Sequence, residues 1–403
     1  MKKIFLRLVG RVALSLLVEG VAFAQHYTQT NLVANTPSGT PVIDSQLVNA
    51  WGLARSSGSF WWVADQAKGF ATLYNGQGRK QGLVVTIPAA DPSNKNTPKG
   101  TPTGAIFNGS TTDFLLASNA PAIFLFATAD GSIAGWNPTV AVAKGAAPPS
   151  THAVTIFKTT DGSAFTGLTS AFINGKNHLY AANFTKGRVD VFDSTFKLVK
   201  LGQPHVSKYS FDNDHFHPEN EPFVDNQLPR GYVPFNVQAI GNDIVVTFVL
   251  HPEGSPFEAD GPGFGYVDIF SSEGLLLQRL EHGDWLNAPW GVALAPLDFG
   301  RFSHDLLVAQ FAGGGTTQSS GFIAAYDIAT GKFDGLLRDA KGNPLAIPGI
   351  WAISPGNVSP ASSDPDDAPA AQMFFTAGPN QGSKGLFGYL TAVSSELTEG
   401  NVQ

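Results

Sequence analysis

Short hydrophobic segments recur along the whole chain, and each is bounded by glycine or polar residues. Examples are Trp61–Asp65, Phe70–Tyr74, Leu306–Gln310 and the segments 179–183 and 244–248. Runs of about five apolar residues between turn residues are typical of short, buried strands. The pattern therefore predicts an all-β protein.

The strands belong to a repeat that insertions partly hide. The sequence Asn-Ala-Trp-Gly at 49–52 returns as Asn-Ala-Pro-Trp-Gly at 287–291. After each copy come a turn, a strand ending in alanine and a polar residue, a turn with glycine, and a third strand. Related units begin near residues 102, 165, 234 and 348. Six units in the chain take about 63 residues each, which is longer than compact propeller repeats and implies inserted loops.

A single unit of three or four strands cannot bury both of its faces. Six such units can do so when they stack side by side in a closed ring. We therefore predict one six-bladed β-propeller over residues 25–393, followed by a polar tail at 394–403. The segment from Thr28 to Val33 is expected to close the last blade by pairing with strands at 373–376 and 386–390. Two stacked β-sandwiches are the alternative, but they do not explain the recurring three-strand unit.

The N-terminus has the features of a secretory signal peptide. Its basic residues are Lys2, Lys3, Arg7 and Arg11. They precede a mostly apolar stretch at 12–23, and the Ala-Phe-Ala at 22–24 fits a cleavage site. We predict a signal peptide over residues 1–24 and an exported protein, periplasmic or extracellular. An ordinary N-terminal helix is the alternative, and Glu19 is unusual within an apolar leader.

Composition excludes several classes of function. The chain has no cysteine, so disulfides, thiolate nucleophiles and cysteine-bound zinc are ruled out. Removing residues 1–24 takes away four basic residues and one acidic residue, which moves the net charge from −7 to about −10. An acidic chain with no basic stripe is a poor nucleic-acid binder. No segment after the leader is apolar enough to predict a membrane span.

The densest polar cluster lies in an insertion between the third and fourth units. Its acidic and histidine residues are Asp212, Asp214, His215, His217, Glu219 and Glu221. Imidazole and carboxylate groups suit zinc, and carboxylates suit calcium. In an extended segment the last four of these side chains point to one side. The cluster is therefore a candidate site for a divalent metal, and a solvated acidic loop is the alternative.

A second polar group follows the hydrophobic strand of the fourth unit. It comprises His251, Glu253, Glu258 and Asp260. Loops of several blades converge at the mouth of a propeller channel, so these residues are candidates for a ligand-binding rim. A histidine and a carboxylate held close together can also act in general acid–base catalysis. Ordinary polar loops are the alternative.

Other conspicuous residues have simpler interpretations. Trp51, Trp290 and Trp351 occupy equivalent places in three units, and we interpret them as core between blades rather than as a sugar-stacking platform. Asp65 and Asn183 end equivalent strands, four residues before a glycine. Their side chains are expected to accept backbone N–H groups of the following turn. They are interpreted as turn-stabilising residues rather than as a site.

Several motifs resemble a known protein family. They read LVNAWGLA at 47–54, LPRGYVPFNVQ at 228–238, GPGFGYVD at 261–268, LNAPWGVALAP at 286–296 and FFTAGPN at 374–380. With these motifs the chain resembles the PEP-CTERM-associated β-propeller family of uncharacterised exported bacterial proteins. The resemblance implies a propeller related to the NHL-repeat type, located outside the cytoplasm. It implies no established reaction or ligand.

No nucleophile motif is present, because Gly-x-Ser-x-Gly does not occur in the chain. The sequence therefore predicts an exported propeller that binds a small molecule, a glycan or a protein, or that serves as an envelope scaffold. A metal-assisted hydrolase or lyase with its site at the channel mouth is the alternative.

Overall fold

The strands form six antiparallel sheets arranged as the blades of a β-propeller, which confirms the predicted fold. The computed structural model describes residues 25–37, 39–93, 98–202, 221–311, 321–356 and 371–396. Within these residues the remaining regular structure consists of three short 3₁₀ turns, at Ala117–Asn119, Gly300–Phe302 and Ser394–Glu396. None of these turns is long enough to cross a membrane.

The chain begins with β1 (Tyr27–Ala34) and β2 (Val42–Ile43) and then builds the blades in order. Blade 1 contains β3 (Ala50–Ala54), β4 (Trp61–Asp65), β5 (Phe70–Tyr74) and β6 (Lys80–Thr86). Blade 2 contains β7 (Pro102–Phe107), β8 (Phe124–Thr128), β9 (Ser132–Trp136) and β10 (Val154–Lys158). Blade 3 contains β11 (Phe165–Ile173), β12 (Lys176–Asn183), β13 (Arg188–Asp193) and β14 (Leu198–Val199).

The second half of the ring follows the same plan. Blade 4 contains β15 (Tyr232–Ile240), β16 (Asp243–Leu250), β17 (Gly265–Phe270) and β18 (Leu276–Arg279). Blade 5 contains β19 (Pro289–Leu294), β20 (Leu306–Gln310), β21 (Ile323–Tyr326) and β22 (Phe333–Leu336). Blade 6 contains β23 (Ile350–Pro355), β24 (Met373–Ala377) and β25 (Leu386–Ala392), and β1 and β2 complete its sheet.

Each blade begins with its innermost strand and runs outward. We call the end of the ring at which the innermost strands begin the mouth, and the end at which they finish the base. Turns between second and third strands lie at the mouth, while turns between first and second strands lie at the base. This topology brings loops that are far apart in sequence to the same end of the ring.

The hydrophobic core lies between adjacent blades, so the second strands are buried on both faces. In β4 the neighbouring side chains of Trp61 and Trp62 point in opposite directions, as expected for a strand. The Trp61 ring lies 4.7 Å from Phe374 of blade 6, and the Trp62 ring lies 4.2 Å from Phe124 of blade 2. Stacking of blades on both sides thus explains why these segments are apolar at successive positions.

Pairing of the two chain ends closes the ring. β1 pairs antiparallel with β25, from Tyr27 opposite Ala392 to Ala34 opposite Leu386. The predicted closure of the last blade by an N-terminal strand is therefore confirmed. Beyond the strands, Glu396 accepts hydrogen bonds from the His26 backbone N–H at 2.7 Å and lies 2.8 Å from its Nδ1. Glu396, which lies in the predicted polar tail, thus joins the closing contact.

Candidate functional site

The six innermost strands share one irregularity. In each, the pairing register with the second strand shifts within the first half of the strand. The residue pairs at this point are Trp51-Gly52, Thr103-Gly104, Thr166-Gly167, Phe235-Asn236, Trp290-Gly291 and Trp351-Ala352. Such a bulge bends a strand and redirects a side chain. The recurring Trp-Gly motif therefore marks a bulge that faces the ring axis.

An aromatic cluster fills the channel near the mouth. We call it the aromatic plug, and it consists of Trp51, Phe184, Phe235, Trp290, Phe311 and Trp351. The Trp351 ring stacks on Trp51 at 3.6 Å and on Phe311 at 3.8 Å. Trp51 also meets Phe235 edge-on at 6.5 Å. Because blades 1 and 4 lie opposite each other, this contact crosses the axis.

The tryptophans are core residues between blades, as the sequence predicted, since Trp351 of blade 6 stacks on Trp51 of the neighbouring blade 1. They join five blades at the axis, and two of their indoles form hydrogen bonds. Trp290 Nε1 donates to the Thr166 carbonyl at 3.0 Å, from blade 5 to blade 3. Trp351 Nε1 donates to Asn49 Oδ1 at 3.0 Å. The plug is therefore fixed in orientation as well as buried.

Small residues beside the plug let the innermost strands approach closely. A Cβ atom added to Gly52 would overlap the Thr103 carbonyl of the next blade. One added to Gly291 would overlap the Trp351 carbonyl in the same way. Asn236 stands at this position in blade 4, and its Nδ2 donates to the Trp290 carbonyl at 2.7 Å. Glycine is required here by lack of space rather than by backbone conformation.

Little room is left along the channel beside these residues. The space that all six innermost strands line measures about 20 Å³. A space of this size holds about one water molecule. Among the described residues, this part of the channel is therefore packed core with no room for a larger ligand.

Polar residues at strand ends near the mouth form buried pairs rather than an open site. Asn183 Nδ2 donates to Asp190 Oδ2 at 2.6 Å, and Arg188 Nε donates to Asp190 Oδ1 at 2.6 Å. Asn183 Oδ1 accepts the Lys186 backbone N–H at 3.3 Å. The predicted turn-stabilising role of Asn183 is thus confirmed.

The same prediction is wrong for Asp65. Its turn is closed by its backbone carbonyl, which accepts the N–H groups of Lys68 at 3.1 Å and Gly69 at 3.0 Å. Its carboxyl group is fully buried and has no hydrogen-bond partner in the described residues. Burial raises the pKa of Asp65 well above its usual range. Burial therefore favours the neutral form of the Asp65 carboxyl group in the folded protein.

Blade 4 contains a second buried carboxyl group with a raised pKa, and this one lies close to an arginine. The Arg279 guanidinium contacts Asp225 through a terminal nitrogen, while its Nε lies 3.4 Å from Asp268 Oδ1. One cation cannot neutralise two buried carboxylates, and the contact to Asp225 is the closer one. Burial raises the pKa of Asp268 to about 7. These groups hold the segment 221–228 against blade 4.

The loop at 251–264 connects β16 to β17 at the mouth and is tied down at several points. The His251 backbone N–H donates to the Gly231 carbonyl at 2.8 Å, and the Gly261 N–H donates to Asn287 Oδ1 at 2.8 Å. The His251 ring packs against Phe184 of the plug at 4.4 Å. Phe257 projects outward from this loop and is 69% exposed.

The four predicted rim residues all lie on this loop but in different environments. Glu253 and Asp260 are exposed, whereas His251 and Glu258 are half-buried. His251 Nε2 lies 2.7 Å from the Ser255 carbonyl oxygen, so this nitrogen is engaged in a hydrogen bond within the loop. Burial, helped by the charge of Asp260, raises the pKa of Glu258 to about 7. Glu258 can thus exchange a proton near neutral pH.

The predicted metal cluster lies almost entirely outside the described residues. Five of its six members are not described: Asp212, Asp214, His215, His217 and Glu219. Glu221 is described and exposed, and the segment that follows it packs near the turn at 271–274, at the end of blade 4 opposite the 251–264 loop. In the part of the chain that the structure describes, no three histidine or acidic side chains are grouped to hold a metal ion.

Similar sequences occur among uncharacterised viral proteins. One protein of Acanthamoeba polyphaga mimivirus is 27% identical over 360 residues, which is 89% of this chain and 78% of that protein. Another from the same virus is 26% identical and covers 86% of this chain and 81% of that protein. No protein-family model matches the chain.

Solved structures with a similar fold include enzymes. Virginiamycin B lyase from Staphylococcus aureus is 11% identical with a TM-score of 0.43, covering 92% of this chain and all of that one. The PQQ-bound aldose sugar dehydrogenase from Streptomyces coelicolor is 12% identical with a TM-score of 0.44, covering 91% and 98%. At this level the likeness concerns the propeller fold and carries no argument about function.

The close approach at the axis predicts that Gly291→Ala is strongly destabilising. The added Cβ meets backbone rather than a movable side chain, so we expect a loss of about 1–3 kcal/mol or more in the free energy of unfolding. Gly82→Ala is the matched control, because nothing lies within 4 Å of its added Cβ. Denaturant unfolding of both variants measures the difference, and equal stabilities would contradict the proposed packing at the axis.

Asp65→Asn is expected to change how stability depends on pH. The folded pKa of Asp65 is raised, so the unfolded chain loses this proton first and wild-type stability falls as pH rises above about 4. The variant lacks this loss, so its stability relative to wild type should increase between pH 4.5 and pH 8. Unfolding at the two pH values tests this. Asp298→Asn, at an exposed acid, is the control, and an unchanged pH slope for Asp65→Asn would rule out a raised pKa of Asp65.

Proposed function

We propose that this protein is a binding module that uses the mouth loops of a rigid propeller ring. The observation that carries the proposal is the aromatic plug, beside which the innermost strands leave a space of about 20 Å³. A ring packed in this way holds loops from several blades in fixed positions. Recognition then takes place on those loops.

The loop at 251–264 is the best-defined contact surface among the described mouth loops. It presents the exposed ring of Phe257 between the exposed carboxylates of Glu253 and Asp260. Aromatic residues are enriched in protein interfaces, and an exposed one on a fixed loop costs little entropy to bury. The exposed acid Glu253 favours a partner with basic groups. We therefore propose a protein partner whose contact surface is partly positive.

We also propose that the protein is exported and belongs to the PEP-CTERM-associated β-propeller family. The support is the leader at 1–24, with its basic residues and Ala-Phe-Ala, and the motifs shared with that family. The alternative of a metal-assisted hydrolase or lyase remains a prediction, because most of its candidate ligands lie outside the described residues.

Partner capture tests the binding surface. Immobilised wild-type protein, incubated with a native envelope extract, is expected to retain a protein that Phe257→Ala retains at least about three-fold less, because an interface aromatic is removed. The control is Phe60→Ala, which removes an exposed phenylalanine at the base of the ring. Equal loss in both variants, or no loss in Phe257→Ala, argues against the 251–264 loop as the contact.

Expression of the full chain in a Gram-negative bacterium tests export separately. We expect the periplasmic protein to start at Gln25, as determined by intact mass. Ala24→Glu is expected to block processing, because small residues are needed next to the cleavage site. Thr36→Glu, at a half-buried position outside the strands, is the control and should be processed normally. Full-length protein in the cytoplasm would overturn this proposal without bearing on the partner surface.

A further inference from the structure

A cleft of about 370 Å³ opens between blades 4 and 5 at the base of the ring. Its floor is formed by Val245 and Ile269, which belong to the core between these blades. Ile240, Leu277 and Ile328 line its sides. Leu277 is 49% exposed, so the cleft shows apolar surface to solvent. The volume falls in the range of small-molecule sites.

Hydrogen bonds fix both walls of the cleft. On the blade 4 side, Asn242 of the β15–β16 turn accepts from the Phe172 N–H at 2.8 Å and donates to the Phe172 carbonyl at 3.0 Å. On the blade 5 side, the Gly331 carbonyl accepts the Glu281 N–H at 2.7 Å, and Glu281 Oε2 accepts the Phe333 N–H at 3.0 Å. The cleft is therefore preformed and needs no rearrangement to admit a ligand.

Two polar side chains line the apolar walls. Asp243 lies two residues before Val245 on β16, so both point to the blade 5 side of the sheet. It is the only charged residue among those that line the cleft. None of the described residues forms a hydrogen bond or ion pair with the Asp243 carboxylate or with the Gln278 amide. Both groups are thus available to a ligand.

We propose that this cleft binds a small aliphatic ammonium ion. The alkyl chain lies on Ile240, Ile269 and Leu277, while the ammonium group donates hydrogen bonds to the Asp243 carboxylate and the Gln278 carbonyl oxygen. An ammonium group carries only donors, and these two oxygens are acceptors. A carboxylate ligand would instead be repelled by Asp243, with no cation in the lining to offset it. This site lies at the opposite end of the ring from the 251–264 loop and does not depend on the proposed function.

Titration with n-hexylammonium, followed by NMR of isoleucine methyl groups in the full chain, tests the proposal. We expect saturable shifts at Ile240, Ile269 and Ile328 with a millimolar dissociation constant. Asp243→Asn should weaken binding at least about three-fold, since an exposed ion pair contributes modestly. Added salt should weaken binding to wild type but not to Asp243→Asn. Leu277→Ala should weaken binding through loss of apolar contact.

Comparison ligands and a matched variant make the result decisive. Hexanoate should bind at least about three-fold more weakly than hexylammonium, and hexanol should bind alike to wild type and Asp243→Asn. Asp298→Asn, at another exposed acid near the base, should leave hexylammonium binding unchanged. No saturable shift at the three isoleucines overturns the proposal. Equal binding of hexanol and hexylammonium to wild type, or equal loss in the two aspartate variants, overturns it as well.

Discussion

The close approach of six innermost strands around one axis is the constraint on which the rest of the structure depends. Glycine beside an aromatic residue allows this approach, because a Cβ at Gly52 or Gly291 would overlap the backbone of the next blade. The accompanying bulge turns the aromatic side chain toward the axis, where it packs against residues of opposite blades. The same short motif thus sets the spacing of the blades and fills the centre of the ring.

Filling the centre has a consequence for function. Propellers with an open channel can place a ligand on the axis, but here the aromatic plug fills the part of the channel that its residues line. The described residues offer the 251–264 loop at the mouth and the cleft between blades 4 and 5 at the base. The two surfaces differ in chemistry, because the first presents an exposed aromatic ring and the second a preformed apolar groove with one carboxylate.

Much of the fold could be predicted from the sequence, because strands and turns are local. The predicted segments 61–65, 70–74 and 306–310 agree with the structure at both ends. The site was harder to predict. Asp65 and Asn183 have the same spacing to a following glycine, yet Asn183 accepts the N–H of its own turn while the Asp65 carboxyl is buried without a partner. Partners of a buried polar group come from other strands, so the local pattern does not reveal them.

The sequence by itself determined the all-β class and the six repeated units, since these follow from local runs of apolar and turn residues, and the repeat in turn predicted a ring closed by an N-terminal strand. Only the tertiary structure decided that the tryptophans, besides packing between neighbouring blades, also reach across the axis to blades 3 and 4. It alone also showed that Glu258 is half-buried while Glu253 is exposed, and that Asp243 faces an apolar cleft. These outcomes depend on which distant segments become neighbours when the ring closes, and no single segment encodes that geometry.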